Sequence, residues 1–142
     1  MKYLYLLIVL SIGYNASAQN KWDTEERKYT GGVIVWGLID DDNSKLIGSL
    51  QPLGKDVTVL YDPFFNKYTI NWTGEEGKNN MVLKFSEENF GGKMYLHVNG
   101  NDNPYFINDV ISKENKLIIM SAKHELINNR KVRVIFLVSD LK

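Results

Sequence analysis

Residues 56–72, Asp56 to Trp72, read DVTVLYDPFFNKYTINW. Val57, Val59 and Tyr61 share one parity, with Thr58 on the other. Asp62-Pro63-Phe64-Phe65-Asn66 interrupts the pattern. It then resumes with Tyr68, Ile70 and Trp72 on one parity and Thr69, Asn71 and Thr73 on the other. Side chains alternate between the two faces of a strand, so each run buries one face and wets the other. Two such runs joined by a short polar turn predict an antiparallel hairpin. Asp62-Pro63 suits the first two positions of a type I turn, because Asp accepts from the backbone and Pro presets φ. Asn66 suits the positive-φ position that closes it. Phe64 and Phe65 are the anomaly, since the turn places two large apolar rings where water should be. Neighbours in a turn diverge, and burying a Phe is favourable by about 1.5–3 kcal/mol. The expectation is therefore one ring folded onto the domain and the other partly exposed.

The same reading extends outward. VIVWGLI (Val33–Ile39) is β-branched and aromatic and apolar on both faces, as in a strand covered on both sides. Asp40–Ser44 (DDDNS) is a turn, and Lys45–Leu50 a weaker strand punctuated by Gln51-Pro52-Leu53-Gly54. Beyond the hairpin, Met81, Leu83 and Phe85 alternate. Met94, Leu96 and Val98 then form an apolar parity opposite Tyr95 and His97. Asn99–Pro104 is the strongest turn signal. Strands follow over Tyr105–Ile111 and Leu117–Ala122. Val132, Val134, Phe136 and Val138 form the last, opposed by Arg133, Ile135 and Leu137. Helical periodicity is absent outside the charged N-terminal arm. The pattern predicts an all-β single domain, an antiparallel meander of eight or nine strands, with nearly every connection short. Such a meander leaves two open edges unless it closes or splits into two packed sheets. A barrel-like or strongly curved form is the expectation, with a two-sheet β-sandwich as the alternative.

The N-terminus reads as a leader. Lys2 precedes an apolar run, Tyr3–Gly13, and Ala16-Ser17-Ala18 is a small-x-small junction, which predicts a signal peptide over residues 1–18 cleaved before Gln19. The run is shorter than the roughly 20 residues that span a bilayer. The expected organisation is signal peptide 1–18, charged N-terminal arm 19–32 and all-β domain 33–142, exported to the periplasm or cell exterior, with no membrane insertion of the mature chain. Seventeen basic residues balance seventeen acidic ones, and removing Lys2 leaves a formal charge of minus one. That balance offers no electrostatic footprint for nucleic acid. The chain has no cysteine, which removes disulfides, thiol catalysis and zinc-thiolate sites.

Chemistry-bearing residues are sparse. His97 and His124 stand without a second ligand or base at metal-binding or catalytic spacing, and no nucleophile elbow or phosphate loop occurs. Asp40, Asp42 and Ser44 alternate as the first ligands of a calcium loop would. Lys45 stands where that loop needs glycine and Gln51 where it needs glutamate. The ordinary reading is a solvated turn that satisfies its own backbone. Glu75-Glu76 and Glu87-Glu88 lie in turns, unlike a carboxylate pair held across a cleft. No cofactor motif is present, and no enzyme is expected. What remains is aromatic: Phe64 and Phe65, Tyr95 and His97 on the polar parity, and Tyr105 with Phe106 beyond the Asn99–Pro104 turn. Aromatic platforms with a few polar groups hold lipophilic and sugar-like ligands. The expected function is an exported, non-enzymatic binding module using these residues at one end of a small β domain. The alternative is a structural or protein-interaction domain using the Phe-Phe turn or a sheet edge as contact surface.

Overall fold

The computed structural model describes residues 25–89, 92–98 and 104–142, with only the backbone described for residues 87–89 and 92. The expected leader, its cleavage site and the first part of the arm lie outside the described residues. Among the described residues nine strands run in order: β1 (Arg27–Asp40), β2 (Leu46–Asp62), β3 (Lys67–Gly74), β4 (Gly77–Asn89), β5 (Gly92–His97), β6 (Pro104–Val110), β7 (Lys116–Ser121), β8 (Glu125–Ile127) and β9 (Arg130–Ser139). Every pairing is antiparallel, and each of β1 to β6 pairs with the next. β9 pairs with β7 on one side and with β1 on the other, from Val33↔Ser139 to Asp40↔Val132. The β1–β9 ladder closes an eight-stranded barrel, and β8 extends it beside β9. Closure, not a sandwich, is how this meander disposes of its edges.

Two boundaries differ from the expectation. Residues 27–32, read as part of the arm, are strand. Gly31 takes a φ of +80°, and the register slips between Tyr29 and Gly32, so the glycines bend the strand without ending it. β2 also runs unbroken through Gln51–Gly54. Pro52 is tolerated because β3 pairs with β2 only from Lys55↔Thr73 onward, which leaves Pro52 on a free edge. Gly54 is required by packing: a Cβ there would lie 2.4 Å from Trp72 Cδ1 and 2.6 Å from the Thr73 carbonyl oxygen.

The interior is built as the alternation of residues 56–72 predicts. Val57, Val59, Tyr61, Tyr68, Ile70, Trp72, Leu83, Ile107, Leu117, Ile119 and Val138 are buried in one cluster. Val134, expected in the core, is only half-buried. Strand β5 faces the other way from its expected phase. Tyr95 is 1% exposed within the core, while Leu96 and Val98 are exposed. The register decides this: Phe85 pairs with Tyr95 and Leu83 with His97, and directly paired residues share a face. The inward Leu83 and Phe85 therefore carry Tyr95 and His97 inward. On the outer face, Ile39, Ile118, Ile135 and Leu137 form a second cluster with Val35, Leu50, Phe106 and Met120 against it. This accounts for the runs in β1, β7 and β9 that are apolar on both parities.

One end of the barrel is sealed. It carries the β2–β3 turn and a single helical turn, α1 (Ile111–Glu114), which Asn115 terminates in the left-handed region. Thr30 and Lys142 exchange two backbone hydrogen bonds of 3.0–3.1 Å beside it. The opposite end carries the Asp41–Lys45 turn, the Glu75-Glu76 turn and the β8–β9 hairpin.

Candidate functional site: the open end and the aromatic tip

At the sealed end the interior is a bonded polar cluster. Asp109 Oδ2 accepts from the Tyr68 hydroxyl at 2.8 Å and from the Arg27 guanidinium at 3.3 Å, and Oδ1 accepts from the Ile111 amide at 3.2 Å. The guanidinium lies over the Tyr61 ring, 4.7 Å from its centroid. Burial raises the Tyr68 pKa well above its ordinary value, and the Asp109 charge adds to this, so the phenol stays neutral and donates. A buried carboxylate without partners is costly; here it has three donors. These contacts tie β1, β3, β6 and α1 together.

That sealing explains the tip. Asp62 Oδ1 accepts from the amides of Phe64 (2.9 Å) and Phe65 (3.4 Å), while Asn66 adopts φ +48°. Asn66 Oδ1 reaches inward and lies 3.2 Å from the Tyr61 hydroxyl and 3.3 Å from that of Tyr95. Asp62 and Asn66 thus take the inward and local contacts, and both rings point out. Phe64 is 86% exposed and Phe65 52%. The expectation that one ring would be covered is corrected: Tyr61, Tyr68 and Tyr95 already fill the end of the barrel. The two rings pack edge to face at 4.8 Å, and the Lys67 and Lys84 ammonium groups lie 5.5 and 5.9 Å from the Phe65 centroid.

Among the described residues the other end is less filled. Inner-face residues that are fully buried around Tyr68 and Leu83 give way here to half-buried ones: Trp36, Leu38, Tyr105, Val134 and Phe136. Regular β1–β9 register sets Trp36 opposite Phe136 and Leu38 opposite Val134. The Tyr105 and Phe136 rings are 6.4 Å apart. Burial raises the Tyr105 pKa, with a contribution from the Glu125 charge, so this hydroxyl also remains a donor. Just outside, Leu38, Ile47, Ile127, Asn128, Arg130 and Val132 line a pocket of about 230 Å³. Arg130 Nε lies 3.4 Å from Asp40 Oδ2 at its rim.

The residues singled out in the sequence therefore do not form one site. Phe64 and Phe65 stand at the sealed end, and Tyr95 is a buried brace behind them. Tyr105 lines the open end, and His97 faces inward, half-buried, on a neighbouring strand. Phe106 is on the outer face with the second cluster, because the residue next to an inward Tyr105 must point out. Trp36, Leu38, Ile47, Phe136 and Arg130 were not singled out. The signal of the four apolar residues is the same parity as the core, and nothing in it marks where the interior stops being filled.

The acidic turn is self-satisfied. Asp40 Oδ1 accepts from the Asp42 amide at 2.9 Å, Asn43 Oδ1 from the Lys45 amide at 3.0 Å, and Ser44 has φ +57°. Its carboxylates are held by arginines, Asp40 by Arg130 and Asp41 by Arg133 at 2.6 Å. His124 Nδ1 lies 3.5 Å from Asp41 Oδ2 beside Arg133. Among the described residues no hydroxyl nucleophile contacts either histidine, and no group of three acidic or histidine side chains is placed to hold a metal ion. Comparison with known proteins finds no matching family model, no matching curated protein and no matching solved structure.

Proposed function

We propose that this domain is an exported, non-enzymatic binding module that takes a small, mainly apolar ligand into the open end of the barrel. One observation carries the reading. The inner face is sealed at one end and passes at the other into half-exposed aromatic and aliphatic side chains beside a pocket of about 230 Å³. Ligand sites are concave and mostly apolar, with a few polar groups that orient the ligand. In the pocket those groups are Asn128 and Arg130. Export rests on the leader-like residues 1–18. No described helix is long and apolar enough to cross a membrane.

Native mass spectrometry of the protein recovered from its own host tests this reading. A retained small-molecule mass is expected on the wild type and not on Leu38→Asp, which places a charge in the pocket. No retained mass, together with no binding of an apolar fluorophore such as anilinonaphthalene sulfonate, would overturn it. N-terminal sequencing should begin at Gln19, and an intact Met1 would remove export.

A second reading, a protein-interaction domain, is favoured by the exposed Phe64–Phe65 pair.

A further inference from the structure

We infer that the apolar run Tyr3–Gly13 packs on the outer face of the barrel in the uncleaved chain, and that its removal with the leader bares an apolar surface on the mature domain. The inference concerns the outside of β1, β6, β7 and β9 and is independent of the ligand site at the open end.

The outside of this barrel has two halves. On β3 and β4 the outward side chains include Thr69, Asn71, Asn80 and Lys84, and all four are half-buried or exposed. Across β6, β7, β9 and β1 the ladders instead set apolar residues side by side. Phe106, Met120 and Ile135 form one row, and Ile118, Leu137 and Val35 the next. Ile118 is 1% exposed, Ile135 3% and Leu137 4%. Asn108, opposite Ile118 in the second row, is 1% exposed, and among the described residues its Oδ1 has no hydrogen-bond partner. A buried amide oxygen left unpaired is costly. A sheet buries an apolar face against a second layer. Yet all nine described strands belong to one sheet, and α1 lies at the sealed end, so no described element forms that layer.

The rest of the chain holds one segment suited to it. Residues 1–24, 90–91 and 99–103 lie outside the described residues. Residues 99–103 (NGNDN) are polar or glycine, Phe90-Gly91 is a single pair, and only Tyr3–Gly13 is a long apolar run. As a helix these eleven residues would be about 16 Å long. The adjacent strands β6, β7, β9 and β1 span about 14 Å between the outermost axes, so the lengths match. The Tyr3, Tyr5 and Ser11 hydroxyls are donors of the kind that Asn108 Oδ1 lacks. The connection is long enough. Tyr14–Thr24 extends up to about 36 Å, whereas the eight positions from Arg27 to Val35 cover about 27 Å of strand. The run thus serves twice, as the core of the leader and, until cleavage before Gln19, as the missing layer.

The test uses the uncleaved chain, made by cell-free synthesis without membranes. The protein has no cysteine, so Met120→Cys on this face and Asn71→Cys on the polar face each introduce a single thiol. Each is labelled with a benzophenone maleimide, photolysed at low micromolar concentration and mapped by mass spectrometry. The Met120→Cys label should insert into residues 3–13 within monomers, and the Asn71→Cys label should not. A second measurement compares fluorophore binding by the uncleaved chain and by a chain beginning at Gln19. Both carry Leu38→Asp, which charges the open-end pocket, so the difference between them reports the outer face. The shorter chain should bind several-fold more anilinonaphthalene sulfonate and melt at a lower temperature. Insertion from Met120→Cys outside residues 3–13, insertion found only in dimers, equal insertion from both labels, or fluorophore binding unchanged by removal of residues 1–18 would each overturn the proposal. None of these outcomes bears on a small-molecule mass retained by the wild type, so the open-end reading is decided separately.

Discussion

The Tyr95 hydroxyl lies 3.3 Å from Asn66 Oδ1, so a residue of β5 braces a turn 29 positions earlier in the chain. The Tyr61 hydroxyl reaches the same oxygen at 3.2 Å. A turn otherwise held by its own backbone and the Asp62 carboxylate is thereby fixed to the barrel core, and with it the direction of Phe64 and Phe65. Both contacts are long for O–H···O hydrogen bonds, so each is worth no more than a typical neutral one.

Asn66→Gly keeps the positive φ and removes the acceptor. It should cost about 1–2 kcal/mol in urea unfolding, since two buried hydroxyls lose a partner. Tyr95→Phe should cost about 1 kcal/mol in the wild type and less in Asn66→Gly. Equal cost in both backgrounds would show that the two side chains are not coupled.

The exposed rings should carry little stability. Phe64→Ser and Phe65→Ser should each lie within about 0.5 kcal/mol of the wild type, the usual range for surface substitutions. A loss of the size expected for a core Phe would show that one ring is buried in solution.

Tyr68 gives a pH dependence of known sign. Its pKa is raised on folding, chiefly by burial and then by the Asp109 charge, so the folded state holds this proton more tightly than the unfolded chain. Its contribution is complete below the unfolded value near 10 and is lost as pH rises above that value. Urea midpoints measured from pH 8 upward should fall beyond about pH 10, and the fall should be shallower in Tyr68→Phe. An equal fall in both proteins would assign the alkaline loss to other groups, Tyr105 among them.

Trp72 and Gly54 form a packing pair. Trp72→Ala should cost about 3–5 kcal/mol, as for other large aromatics removed from a core. Gly54→Ala should cost about 1–3 kcal/mol, because its Cβ would meet both the indole and the Thr73 carbonyl oxygen. In the Trp72→Ala background the Gly54→Ala cost should shrink without vanishing, since the carbonyl clash remains. A cost below about 0.5 kcal/mol for Trp72→Ala would place that ring at the surface.

Local chemistry determined much of this protein. Alternation from Val57 to Trp72 fixed which side chains of that hairpin face inward, because a strand's two-residue period is a property of the backbone itself. Asp62-Pro63 and Asn66 specified the turn for the same reason. The even spacing of short strands required a closed or doubled sheet. Tertiary structure decided what depends on partners distant in the chain. The direction of β5 follows from its register with Leu83 and Phe85, and either parity of Met94–Val98 offers large side chains, so the sequence there is ambiguous. Gly31, Gly32 and Pro52 bend or continue strands instead of ending them because the neighbouring ladder is bulged or absent at those points. Both phenylalanines are exposed while Asp109 and Tyr95, far from the tip in the sequence, pack with the neighbouring Tyr68 inside that end of the barrel. The open end shows no sequence signature, since the residues lining a cavity and those filling a core share the same apolar parity, and only closure of β9 on β1 determines where the filling stops.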